Sequence, residues 1–129
     1  MPRDPVTKAL LGIRTAVGAA SYLAPGPAGR AFGLSVSENP QSPYLARLFG
    51  VRDLALAAGI LTAPPAARRQ WLAIGLACDA ADVVSGIVGT KAGYLSKTSG
   101  VLVTGAALGG MALGALALQQ VEDELPASP

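Results

Sequence analysis

Four long runs of apolar residues lie along the chain, separated by segments rich in proline, glycine and polar residues. The runs cover roughly residues 7–23, 43–62, 66–88 and 98–120. Proline inside a helix removes a hydrogen-bond donor and clashes with the preceding turn, so the prolines after the first and second runs predict helix ends. Ser42 and Pro43 predict the start of the second helix, as its N-cap and first residue. The pattern therefore predicts an all-α chain.

The fourth run is the most apolar. Thr98 to Val121 carries no charged residue, and about 20 apolar residues are enough to cross a bilayer. Only 14% of the whole chain is charged, whereas soluble domains carry about 25%. We therefore expect a four-helix transmembrane bundle that forms a single domain over residues 1–129. The first three runs are less hydrophobic, which leaves a soluble helical bundle as the alternative.

The segments outside the four runs carry weaker signals. Arg3 and Lys8 precede the first apolar run as in a signal peptide, but Arg14 interrupts that run, so we expect an uncleaved first helix. Residues 30–34 are compatible with a short interfacial piece between the first two helices. Residues 121–129 are expected to form an acidic C-terminal tail.

Apart from Lys8, Arg68 and Arg69 near the span ends, six charged residues fall inside the predicted spans, three positive and three negative. An isolated charge in a bilayer is costly, so such residues usually face the bundle interior and pair with one another. We expect these side chains to meet in an intramembrane ionic cluster. Its members are Arg14, Arg47, Arg52, Asp53, Asp79 and Asp82.

Helix geometry refines this expectation. At 100° per residue, Gly75, Asp79, Asp82 and Gly86 share one narrow stripe. A rise of about 1.5 Å per residue places Arg52 and Asp79 at a similar depth, near the middle of a membrane, and predicts that they pair. Arg47 lies nearer the start of its helix, from where a long side chain can reach the membrane interface.

Two roles are open for the ionic cluster. It can be structural, because buried polar groups help to specify one helix arrangement. It can instead handle protons or a substrate, with Asp79 and Asp82 as the working carboxylates. We favour the structural role, since ion-pair networks perturb side-chain acidity without being catalytic. No residue is assigned as catalytic.

Glycines at helical spacing predict close helix packing. Small residues four apart let helix backbones approach each other in a membrane, although a chain this rich in alanine and glycine also produces such spacings by chance. The predicted packing glycines are Gly75, Gly86, Gly105, Gly109, Gly110 and Gly114.

Several functions are excluded by composition. The chain has no histidine and one cysteine, which excludes His-ligated metal or haem sites, Ser-His-Asp catalysis and an intrachain disulfide. The net charge is +2 with no dense basic stretch, so no nucleic-acid footprint is present. We expect no metal and no cofactor.

One segment carries a family resemblance. Residues 47–53 read Arg-Leu-Phe-Gly-Val-Arg-Asp, an RxxGxRD pattern. It resembles a helix in small four-helix bacterial membrane proteins of uncharacterised function, and the later pair Asp79 and Asp82 is similar. The composition is similar to that of proteins from high-GC actinobacteria. The resemblance implies a bacterial membrane protein and no particular activity.

Together these features predict an accessory or structural subunit of a larger membrane complex. The alternative is a small membrane-embedded carrier or acid/base enzyme that acts on a lipophilic or protonatable substrate through Asp79 and Asp82. Membrane lipids, other integral membrane subunits or further copies of the chain are the expected partners. Basic residues in the short loops weakly favour both termini on the cytoplasmic side of the inner membrane.

Overall fold

The computed structural model describes Pro2 and residues 4–124, which form five α-helices and no β-strand. The long helices are α1 (Pro5–Leu23), α3 (Ser42–Thr62), α4 (Pro65–Ala92) and α5 (Lys97–Glu124). Between α1 and α3 lie a short helix, α2 (Pro25–Ala31), and a 3-10 turn at Val36–Glu38. The predicted all-α class is confirmed for this part of the chain.

Local sequence accounts for the helix ends. The side chain of Asp4 caps α1 by accepting a hydrogen bond from the Thr7 backbone N–H at 2.6 Å, as N-terminal donors require. Gly33 and Gly93 follow α2 and α4 with φ of 71° and 84°. Glycine adopts this left-handed conformation without the steric penalty of a side chain, which lets the chain reverse there.

Some predicted boundaries need correction. The prediction made Ser42 an N-cap, but α3 begins at Ser42 and its N-cap is Gln41. The acidic tail was predicted from residue 121, yet α5 continues to Glu124. The extension is stabilised because Val121 is buried and Glu122 Oε1 lies 2.9 Å from Arg69 Nη2 on α4. Residues 125–129 of the predicted tail lie outside the described residues.

The four long helices alternate in direction along the bundle. Contacts are most extensive between α1 and α3 and between α4 and α5, and the two pairs meet where α1 packs on α5 and α3 on α4. A buried apolar cluster closes one end of the bundle, where α1 and α4 begin and α3 and α5 end. We call it the closed end; its residues are Leu10, Ile60, Leu72, Ala117 and Val121.

Glycine allows α1 and α3 to approach closely. Gly18 and Gly50 face each other, and a Cβ added at Gly50 would lie 2.6 Å from the carbonyl oxygen of Gly18. A real side chain cannot occupy that distance, so the backbones touch here only because both residues lack one. Gly50 is the glycine of the RxxGxRD segment.

The predicted packing glycines divide into two groups. Gly75, Gly86 and Gly110 lie against side chains of neighbouring helices, and a Cβ at Gly114 would be 3.8 Å from Leu76. By contrast, nothing lies within 4 Å of a Cβ built on Gly105 or on Gly109. Within this chain, therefore, these two glycines make no close helix contact.

Near the middle of its length the bundle is apolar outside and charged inside, the reverse of most proteins in water. Arg14, Asp53 and Asp79 are buried, with exposed fractions of 4–6%. Each long helix also directs large apolar side chains outward, and these are about half exposed or more. Representative residues are Leu23 on α1 and, at the level of the buried charges, Val51, Val84 and Leu108.

Two helices are long and apolar enough to cross a membrane. Their spans are Pro65–Ala92, with a mean hydropathy of 1.7, and Lys97–Asp123, with 2.0. Only 28% and 17% of the residues in their most apolar windows are buried in the bundle. The helix α3 carries Arg47, Arg52 and Asp53 within its 21 residues, which lowers its apolar character.

Candidate functional site

Arg14 lies in the middle of the bundle and bridges carboxylates from two other helices. Its Nη1 donates to Asp53 Oδ1 on α3 at 3.2 Å, and its Nη2 donates to Asp79 Oδ2 on α4 at 2.6 Å. The side chains of these three residues are at most 8% exposed. Gly75 makes room for the guanidinium, because a Cβ there would lie 3.0 Å from Arg14 Nη2. One cation thus joins α1, α3 and α4.

Arg52 forms a second bridge beside the first. Its two terminal nitrogens donate to the two oxygens of Asp82 at 2.9 and 2.6 Å, the bidentate geometry that makes Arg–carboxylate pairs strong. Arg52 Nη2 also lies 3.6 Å from Asp53 Oδ1, and the guanidinium carbon is 4.7 Å from the centre of the Phe49 ring. Asp53 therefore connects the two bridges.

These five charged residues form one continuous network, which we call the ionic layer. Its members are Arg14, Arg52, Asp53, Asp79 and Asp82. The expected pairing of Arg52 with Asp79 is replaced by Arg52 with Asp82 and Arg14 with Asp79. Helix rise gives the height of a side chain but not the neighbour it faces, and on α4 these two aspartates turn to different helices.

Arg47 lies apart from the ionic layer, which corrects its predicted membership. It is exposed near the start of α3, and its Nε donates to the Tyr22 carbonyl oxygen at 3.1 Å. Without Arg47 the charges no longer balance. Two guanidinium groups now face three carboxylates, so the ionic layer carries one carboxylate in excess.

A cavity of about 1000 Å³ extends from the ionic layer toward the end of the bundle opposite the closed end. This is the upper end of the range of roughly 300–1,000 Å³ typical of small-molecule sites. Its walls come from all four long helices and are mainly apolar. Arg14, Asp53, Asp79 and Asp82 lie in its inner part, where Leu10 and Leu113 also line it.

We call the end of the bundle that holds this cavity the open end. The segment between α1 and α3 lies over the cavity there, and we call that segment the cover. Phe32, Leu34 and Val36 line the cavity from this cover. The cover is fastened to the start of α5, where Ser99 Oγ donates to the Gly33 carbonyl oxygen at 2.6 Å. The short helix and the 3-10 turn thereby cover part of the space between the helices.

Several cavity residues were not singled out by sequence reasoning. Tyr94 lines the cavity while remaining 71% exposed. Phe32 and Glu38 line it from the cover, in a stretch with no hydrophobic periodicity to reveal them. Ser21 also lines the cavity, and its helical spacing already placed it on the same face of α1 as Arg14.

The remaining candidate groups give no separate site. Among the described residues, no group of three or more acidic, histidine or cysteine side chains is placed to hold a metal ion. Cys78 is free and half-buried beside Asp79 in sequence, and it does not line the cavity.

Comparison of the chain with protein-family models, with curated proteins and with solved structures gives no match. The site must therefore be interpreted from its own geometry.

Proposed function

We propose that α1, α3, α4 and α5 all cross a membrane as a four-helix transmembrane bundle. The support is the reversed distribution of polarity: outward leucine, isoleucine and valine on every long helix, and buried Arg14, Asp53 and Asp79. Lipid accepts such an outer surface without penalty, and buried charges in membranes face the interior in pairs. At about 1.5 Å per residue, the 19 residues of α1 and 21 of α3 are long enough for a core about 30 Å thick.

A bacterial inner membrane with cytoplasmic termini remains the proposed location. The RxxGxRD resemblance supports the bacterial membrane assignment, and the arrangement of α1 and α5 bears on the termini. Both α1 and α5 have their terminal ends at the closed end of the bundle. In a membrane-spanning bundle that arrangement places them on one side.

We infer that the protein binds a small lipophilic molecule in the cavity and acts as a membrane-embedded carrier or binding protein. The observation that supports this most is the cavity of about 1000 Å³ with charged groups in its inner part. A mainly apolar space with a few convergent polar groups is the usual form of a ligand site. A purely structural ion-pair network needs no such space. Asp79 and Asp82 would contact the ligand, as they would in an acid/base enzyme.

Binding of the neutral fluorophore N-phenyl-1-naphthylamine tests this function. We expect saturable fluorescence enhancement with the protein in bicelles, above that of bicelles alone. The substitution Ala106→Phe fills the cavity, since Ala106 lines it, and should weaken binding about tenfold or more. Ala112→Phe is the matched control, because Ala112 is an exposed alanine on the same helix outside the cavity. Equal affinity in all three proteins would contradict the proposal.

The accessory-subunit function is a second candidate, favoured by the outer face of α5. Gly105 has open space around it, and Val101 and Leu108 beside it are 72% and 51% exposed. Such a surface suits a transmembrane helix of another subunit or of a second copy. Purification in mild detergent should then yield a stoichiometric assembly, and Gly105→Leu should disrupt it while the bundle stays folded. A monomer in both cases would contradict this candidate.

A further inference from the structure

We propose that the cavity selects a lipophilic cation, a molecule with an ammonium or similar positive group on an apolar body, held at Asp79 and Asp53. This inference rests on the proposed ligand-binding function and specifies the ligand class.

The charges around the cavity have one predominant sign. Four carboxylates and a single guanidinium, that of Arg14, line it. Arg52 supplies one further positive charge behind the wall, through its pair with Asp82. Even with both arginines counted, the carboxylates are in excess. A positive ligand group would compensate a buried negative charge, whereas an anion would add to it.

Two carboxylate oxygens at the wall of the cavity receive no hydrogen bond from the described residues. Asp53 and Asp79 are each about nine-tenths buried, and both line the cavity. Arg14 donates only to Oδ1 of Asp53 and to Oδ2 of Asp79. The other oxygen of each carboxylate receives no hydrogen bond from the described residues. Neither oxygen is among the fully buried side-chain atoms, and both residues line the cavity. These two oxygens therefore mark where a ligand's N–H group or positive charge would lie.

The upper walls suit the same ligand class. Phe32 and Tyr94 line the cavity toward its cover, and Phe49 lines it nearer the ionic layer. Aromatic faces attract cations, and clusters of them bind quaternary ammonium groups. Phe49 already has the Arg52 guanidinium over its ring, which leaves Phe32 and Tyr94 for the ligand.

Two lipophilic ions of nearly the same size and shape, tetraphenylphosphonium and tetraphenylborate, separate charge from hydrophobicity. Equilibrium dialysis of each against the full chain in bicelles, with empty bicelles subtracted, measures binding. We expect saturable binding of the phosphonium and none of the borate. Asp79→Asn should weaken phosphonium binding about tenfold or more, as expected for loss of a charged contact. Glu122→Gln is the control, because it removes an exposed carboxylate at the other end of the bundle.

A second variant keeps the test decisive if Asp79→Asn does not fold. Asp82 lines the cavity but is only partly buried, so Asp82→Asn should fold and weaken phosphonium binding by a smaller factor. Equal binding of both ions, or unchanged phosphonium affinity in the aspartate variants, would overturn the inference. If N-phenyl-1-naphthylamine still bound in that case, the proposed function would stand. Failure of all three probes to bind would overturn both.

Discussion

The two ends of the bundle differ in how the space between the helices is filled. At the closed end, Leu10, Ile60 and Leu72 are at most 2% exposed and pack directly against α5. At the open end the same four helices surround a cavity of about 1000 Å³ under a cover of short irregular segments. The ionic layer lies between the two ends.

If the open end binds a ligand as proposed, the two ends separate stability from function within one small bundle. Close packing of apolar side chains contributes stability at the closed end, and Arg68 adds to it by donating to the carbonyl oxygens of Ile60 and Ala63 at 3.1 and 3.0 Å. At the open end the helices do not pack closely against one another, and the cavity lies between them. A cavity this large is unfavourable unless something occupies it, which agrees with a ligand site.

The largest expected change in the free energy of unfolding comes from a substitution in the ionic layer, which lies between the two ends. Arg14→Gln leaves Asp53 and Asp79 buried without their cation, so we expect a loss of unfolding free energy of about 3–5 kcal/mol. Arg69→Gln breaks the exposed pair with Glu122 and should change it by at most about 1 kcal/mol. Denaturant unfolding of both variants in bicelles measures the contrast. Similar losses would mean that Arg14 is no more important than a surface arginine.

The second largest expected change in the free energy of unfolding distinguishes a leucine at the closed end from one at the open end. Leu72→Ala removes a side chain that is 1% exposed at the closed end, and it should lower the unfolding free energy by about 2–5 kcal/mol. Leu45 lines the cavity and is 56% exposed, so Leu45→Ala should stay within about 0.5 kcal/mol. Ligand binding should show the opposite order, with only Leu45→Ala weakening it. Reversal of either order would contradict the division of roles.

Glycine-to-alanine substitutions at Gly50 and at Gly105 should change the free energy of unfolding in opposite directions. At Gly50 the added methyl group would meet the backbone of α1, and we expect a loss of about 1–3 kcal/mol from overpacking. At Gly105 the space is open, so alanine should be neutral or stabilise α5 by up to about 1 kcal/mol through helix propensity. Thermal unfolding of the two variants provides the comparison. A stabilised Gly50→Ala protein would show that α1 and α3 do not touch there.

The smallest effect concerns pairing within the ionic layer. A double-mutant cycle on Arg52→Gln and Asp82→Asn should give a coupling of about 1 kcal/mol, moderate because both side chains are near 30% exposed. The same cycle on Arg52 and Asp79 should give a weaker coupling, since Arg14 is the partner of Asp79. The opposite ranking would restore the pairing predicted from helix depth alone.

Much of the fold could be predicted because it depends on local chemistry. Proline after α1 and α3 ends those helices whatever surrounds them, and apolar runs of this length form helices. The expectation that buried charges meet also needs no coordinates, since isolation is unfavourable for each of them. The structure accordingly brings Arg14, Arg52 and Asp79 into one layer.

The ion pairs within the ionic layer and the cavity could not be predicted from the sequence. Both depend on the rotation of each helix about its axis and on the distances between helices. Whether Asp79 faces Arg14 or Arg52 depends on the rotation of α4, which neither spacing nor depth determines. Arg68 donates to the end of α3 because the tight turn after α3 folds the start of α4 back onto that helix, and the sequence gives no sign of this contact. Phe32 and Glu38 lie in a segment without periodicity, so nothing in the sequence indicated a cover over a cavity.

The central claim is that charge lies inside the bundle and lipid outside it, and site-directed spin labelling tests it most directly. With Cys78 replaced by alanine, a nitroxide is attached in turn at Ala16, Val51, Val84 and Leu108, one exposed position outside the cavity on each long helix, and at Ser37 in the exposed 3-10 turn. In bicelles we expect the four helix positions to be relaxed by oxygen and hardly by a water-soluble nickel chelate. Ser37 should show the reverse. Nickel relaxation at the four helix positions equal to that at Ser37 would place the bundle in water and contradict the account.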